Sequence, residues 1–157
     1  MSIASNYAKL DRRLATLGGW LQSPGLFLVR LWWGWSFFQT GKSKLMNLDK
    51  TTAFFESLQI PMPKLSAITA GSVECIGGLL LLVGLFSRAV SVPLMFTMVT
   101  AYVTAHTDAW NAIISNTDKF TGAKPFLFLF AALLVFAFGP GRLSLDALFF
   151  GSKNAPK

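Results

Sequence analysis

The sequence predicts an all-α membrane protein: an antiparallel four-helix transmembrane bundle preceded by an N-terminal amphipathic helix in the interface. Three observations predict it. Four segments are long and mostly apolar. Hydrophobic residues fill 53% of the 157 positions and charged residues only 13%, about half the charge usual in a soluble domain. No series of segments shows period-2 alternation, and lipid admits only helices or closed barrels. The chain divides into an interfacial helix (1–23), a four-span bundle (24–150) and a polar tail (151–157).

Residues 1–21 lack the continuous apolar stretch and small-residue cleavage site of a signal peptide. Instead Ile3, Tyr7, Leu10, Leu14, Leu17 and Leu21 recur at spacings of 4, 3, 4, 3 and 4. That is one face of a helix, with Lys9, Arg12 and Arg13 off it. A basic amphipathic helix next to a span reads as an interfacial element; a helix packed on a soluble partner is the alternative.

A transmembrane helix needs about 20 mostly apolar residues. The first candidate is Gly25 to Met46, interrupted by Arg30, Lys42 and Lys44. The second is Ser66 to Phe86 and the third Arg88 to Thr107. They meet at Ser87-Arg88, so they must form a tight antiparallel hairpin. Pro93 falls early in the third helix, where proline is tolerated. The fourth, Pro125 to Gly139, is short and borrows from its flanks. In connection 47–65, Asp49 begins a capped short helix. Together with connection 108–124 it is expected to form a lid.

The formal charge is +7, from 14 Lys and Arg against 7 Asp and Glu. In a soluble protein that excess would point to nucleic acid. Here the apolar bulk assigns it to membrane flanks and anionic lipid, with no nucleic-acid partner. Seven basic residues flank the near side and six the far side, which scarcely orients the bundle. The basic N-terminal helix favours cytoplasmic termini in a cell (inner) membrane. One cysteine, Cys75, and one histidine, His106, exclude a disulfide framework, a CxxC motif and a multi-histidine metal site. No haem, flavin or iron–sulfur motif is present.

Ionisable groups at membrane depth are expensive and mark function or pairing. Arg30 lies about 8 Å inside the near face, where it pairs with Asp146, snorkels, or binds a ligand. Glu74 lies about 12 Å below the far face. Gln39 and Tyr102 fall at nearly its depth, with Lys44 and His106 above. Arg30, Gly34, Phe37, Gly41 and Lys44 share one helical face, as do Gly71, Glu74 and Gly78 on the next span. Their glycines allow close helix approach, for internal packing or dimerisation alike. A carboxylate alone at that depth would be neutral; beside Lys44 it would be an anion able to accept a proton. Glu74, His106 and Tyr102 are therefore candidate catalytic residues. Arg30, Trp33, Phe37, Gln39 and Lys44 are candidate ligand-binding residues. Against this, Glu74 also reads as a structural hydrogen bond, His106 and Tyr102 as satisfied interfacial side chains, and Cys75 as inert packing.

The stretches RLWWGWSFFQTGKSKL (30–45), FFESLQIPMP (54–63), GSVECIGGLLLLVGLFSR (71–88), MVTAYVTAH (98–106) and GPGRLSLD (139–146), in that order, resemble the DoxX family of small four-helix membrane proteins. The resemblance runs from about Gly25 to Leu148 and excludes the N-terminal helix. It implies likeness to a membrane subunit of thiosulfate:quinone oxidoreductase and to proteins linked with quinone and oxidative stress or with thiol redox complexes. By resemblance, Arg30, Lys44, Glu74, His106 and Arg142 occupy the family's polar positions. The function expected is a quinone-interacting component of a membrane redox or oxidative-stress system, as an enzyme a quinone-linked oxidoreductase subunit. Its electrons would come from a redox partner protein or a small reductant. The alternative is a non-catalytic scaffold, or a binder of lipid or a small hydrophobic metabolite. A transporter is weaker, since four spans without inverted repeats offer little machinery. A homo-oligomer stays open.

Overall fold

The computed structural model describes residues 3–151, and side chains from residue 7 onward apart from Lys9. The expectations placed on Ile3, on the Lys9 side chain and on tail residues 152–157 lie outside the described residues. Every regular element described is helical, with no strand.

The first helix, α1 (Ile3–Met46), is 44 residues long. It joins the expected interfacial helix and the first span into one element, with no break at residue 23. Pro24 lies inside it. Proline has no N–H for the carbonyl four residues back, so the helix is weakest where the sequence places the boundary. Ser23 Oγ accepts from the Arg142 backbone N–H at 2.8 Å, which ties that point to the C-terminal loop.

Next come α2 (Leu48–Ser57), α3 (Pro63–Val83), α4 (Ser87–Ala105), α5 (Thr107–Asn111), α6 (Thr117–Thr121), α7 (Pro125–Phe138) and α8 (Leu145–Phe150). Asn47, not Asp49, stands at the start of α2, and Asp49 lies in its first turn. A carboxylate there meets the positive end of the helix dipole. The turn between α3 and α4 is as tight as the sequence requires. Gly84 (φ 73°) ends α3 and Phe86 (φ 50°) begins α4. Two helices, α3 and α4, are long and apolar enough to cross a membrane; α7 is apolar but only 14 residues.

The C-terminal half of α1 packs along α3, α3 along α4, α4 along α7, and α7 back on α1. The core between them is Phe37, Leu81, Leu94, Met98, Ala132 and Val135. The α1–α3 contact is the closest. Gly34 and Gly41 of α1 lie against the backbone of Gly78, Leu82, Gly71 and Cys75 of α3. A Cβ on Gly41 would strike the α3 backbone, and one on Gly78 the α1 backbone. The glycine stripes are therefore spent on internal packing, not on a dimer. The outward faces carry large apolar side chains, among them Trp32 (71% exposed), Ile76 (60%), Phe96 (72%) and Leu133 (48%). Monomeric soluble proteins rarely leave so much apolar surface open.

The two longer connections do not form one lid. α2 packs on α3, whereas α5 adjoins α4 and α6 adjoins α7. They cover different parts of the same end.

Candidate functional site

The α1–α3 crossing places an ion pair in the bundle. Ala67, Gly71, Glu74, Gly78 and Leu81 form the buried stripe of α3, and the glycines on either side of Glu74 draw α1 close. Lys44 Nζ lies 2.5 Å from Glu74 Oε1. The Glu74 side chain is 1% exposed, while that of Lys44 is 30% exposed. Glu74 Oε2 is buried and has no hydrogen-bond partner. Such an oxygen forgoes the hydrogen bonds that buried polar atoms nearly always make. The pair thus joins a buried acceptor with free capacity to a cation that reaches the surface. Thr51 Oγ1 donates to the Lys44 carbonyl at 3.2 Å, fixing the end of α1.

The expected layer of Gln39, Glu74 and Tyr102 does not assemble. Gln39 is exposed. It stands two residues from buried Phe37, which turns it to the opposite side of a helix with 3.6 residues per turn. Tyr102 is fully buried, but its hydroxyl donates to the Phe120 carbonyl at 2.8 Å and its ring stacks on Phe120 at 4.8 Å. That hydroxyl is occupied in pinning α6 to α4. His106 is half-buried at the junction of α4 and α5, its ring 6.4 Å from that of Tyr102. It lines an open polar cavity of about 720 Å³ with Asp108, Asp118, Lys119 and Lys124. Trp33 and Phe37 do come together. Both rings meet Phe128 of α7 edge-on, at 5.0 and 4.8 Å, and Phe37 is fully buried.

Arg30 belongs to a separate cluster at the other end. It is fully buried. Nη2 donates to the Leu143 carbonyl, and the guanidinium lies against Gly84, where any side chain would displace it. It therefore sits at the C-terminus of α3, the negative end of that helix's dipole. The expected Arg30–Asp146 pair is not a direct bridge. Both Asp146 oxygens are engaged elsewhere, accepting from the Phe86 and Ser87 backbone N–H groups at 2.7 and 2.9 Å. Asp146 caps α4, and its own N–H donates to the Gly84 carbonyl at 2.9 Å. The sequence reading missed Ser23 and the Leu143 carbonyl. The Ser-Pro dipeptide signals the first; a backbone acceptor leaves no sequence signal. It also missed an apolar groove of about 360 Å³ lined by Leu31, Trp32, Trp35, Ser36 and Leu82. Neither this groove nor the polar cavity is lined by Glu74. Among the described residues no group of three or more His, Cys, Asp and Glu is placed to hold a metal ion.

Close-packed helices with an apolar exterior, two of them long enough to span, and a lysine–glutamate pair inside define a small all-helical membrane protein. Comparison with known proteins says which kind. Residues 25–107 match the DoxX family, and the chain belongs to that family. It is similar to "Putative oxidoreductase CatD" of Bacillus subtilis (strain 168), 32% identical over 83% of this chain and 91% of that protein. It is 35% identical to "Inner membrane protein YphA" of Escherichia coli (strain K12), over 68% of this chain and 76% of that one. It is 33% identical to "Uncharacterized membrane protein Rv3486" of Mycobacterium tuberculosis (strain ATCC 25618 / H37Rv), over 78% and 80%. No solved structure matches the chain.

Proposed function

We propose that the protein is a four-span inner-membrane component of a redox system that acts on a quinone, with Lys44 and Glu74 handling its protons. The spans are the C-terminal half of α1, α3, α4 and α7, with both termini in the cytoplasm. The observation that carries this reading is the orphaned Glu74 Oε2 beside a Lys44 that reaches the surface. Reducing a quinone to its quinol takes two electrons and two protons. Lys44 Nζ donates a hydrogen bond to a quinone oxygen, and Glu74 holds and releases a proton that is replaced from the aqueous side. The electrons come from a redox partner protein, since this chain carries no redox motif of its own. A relative named as an oxidoreductase fits this reading.

The test is a quinone difference spectrum and quinone reduction in purified protein. Glu74→Gln keeps the shape and removes the proton acceptor. The expected result is lost reduction, by about a hundredfold as for a general acid–base group, with quinone binding retained. An unchanged rate would overturn the proposal.

A second reading, a non-catalytic binder of lipid or a hydrophobic metabolite, is favoured by one observation: the two cavities lie away from Glu74. In that case Trp32→Ala or Trp35→Ala lowers the amount of co-purified lipid measured by mass spectrometry, and Glu74→Gln leaves it unchanged.

A further inference from the structure

Residues 10–21 of α1 are exposed on every side, so the bundle covers neither face of this arm. Its apolar stripe is open at Tyr7 (69%), Leu10 (55%), Leu14 (56%), Leu17 (60%) and Leu21 (68%). Arg12 points opposite the stripe and Arg13 lies on its flank, by the 3.6-residue period. The base of the arm is fixed. Ser23 is bonded to Arg142 N–H, and Gly141 (φ 79°) stands against Ser23, closely enough that a Cβ would touch it. Leu143 is in turn held by buried Arg30. Just beyond, α8 leaves Leu148, Phe149 and Phe150 more than half exposed.

The charges around this corner are one-sided. Arg12, Arg13, Arg88 and Arg142 are all exposed. Of the acids nearby, Asp146 spends both oxygens on backbone N–H groups, which leaves Asp11 as the acid open to solvent at this end among the described residues. An exposed apolar stripe with Arg13 on its flank and Arg88 and Arg142 beside its base, against the one open carboxylate of Asp11 among the described residues at this end, complements one surface: an anionic lipid headgroup layer over acyl chains.

We propose that this end of the molecule docks on anionic lipid. The arm folds at Pro24 onto the membrane, stripe down, while Arg88 and Arg142 meet lipid phosphates beside its base. The proposal is independent of any quinone chemistry at Lys44 and Glu74.

The test uses the full-length protein with Cys75→Ser. A nitroxide is placed at Leu14→Cys on the stripe or at Thr16→Cys on the polar face. The protein is reconstituted in phosphatidylcholine vesicles, with or without phosphatidylglycerol. The label at position 14 should be shielded from a water-soluble relaxation agent relative to that at position 16, and phosphatidylglycerol should raise this shielding about fivefold over phosphatidylcholine alone, the factor that one basic residue contributes near a negative surface. High salt should reduce that shielding. Changing Arg12, Arg13, Arg88 and Arg142 to Gln should erase the difference between the two lipids. Equal accessibility at both positions in both vesicles would overturn the proposal. Shielding that persists in detergent with a doubled particle mass would also overturn it, because the stripe would then be covered by a second copy.

Discussion

At the scale of single residues, the α1–α3 crossing depends on the absence of side chains. A Cβ on Gly78 would meet the Gly34 carbonyl at 2.7 Å and the Phe37 Cβ at 2.9 Å, and one on Gly41 would meet Cys75 Cα at 2.8 Å. These neighbours are mostly backbone and cannot swing aside. Gly41→Ala and Gly78→Ala should each destabilise the bundle by about 1–3 kcal/mol, the usual range for overpacking. Gly18→Ala is the control. Nothing stands within 4 Å of a Cβ there, and alanine in an exposed helix gains about 0.5–1 kcal/mol over glycine. Thermal unfolding in detergent should therefore move in opposite directions for the two kinds of variant. These glycines were legible in the sequence because they share a period with Phe37 and Glu74, and their burial follows that period. Lys44 beside Glu74 was legible for the same reason. Gln39 was misplaced because equal depth along a span says nothing about which way a side chain faces. That Tyr102 is satisfied is one of the readings the sequence offers, but its acceptor is not legible, because the Phe120 carbonyl belongs to α6, whose path the sequence does not show.

At the scale of elements, the C-terminal segment locks the α3–α4 turn. The helix N-terminus of α4 leaves N–H groups without intrahelical partners. Asp146 meets two of them from 60 residues away in sequence. Capping by a distant carboxylate is invisible to a local motif search, which looks for Ser, Thr, Asp or Asn just before the helix. Removing the cap with Asp146→Ala should cost about 0.5–2 kcal/mol and speed hydrogen exchange at the Phe86 and Ser87 amides. Arg30→Met should leave those two amides protected, because Arg30 holds the neighbouring Leu143 carbonyl instead. If both variants exposed the amides equally, the segment would come away as a unit, and Asp146 and Arg30 would not hold it separately.

At the scale of the whole molecule, the sequence shows the helical class because apolar content and helical period agree along the chain. What it does not show is how the first two predicted elements join. The apolar stripe of the arm stops at Leu21, and Gln22, Ser23, Pro24 and Gly25 carry no apolar period, yet α1 is one helix across them. Its 44 residues come to about 66 Å at 1.5 Å per residue, roughly twice the hydrocarbon thickness of a bilayer. The arm therefore extends past the membrane or turns at Pro24, and the count of crossings is the same in both cases. The four crossings proposed above would put Ser5 and Ser152 on one side. In a Cys75→Ser background, Ser5→Cys and Ser152→Cys should react with a membrane-impermeant maleimide from the same face of sealed vesicles. Thr117→Cys in α6, in the connection between α5 and α7, should react from the other face. The balance of basic residues is too even to give this answer. Labelling of Ser5→Cys and Ser152→Cys from opposite faces would mean an odd number of crossings. The 14-residue α7 would then be the first element to reassign, since at about 21 Å it is shorter than the hydrocarbon layer.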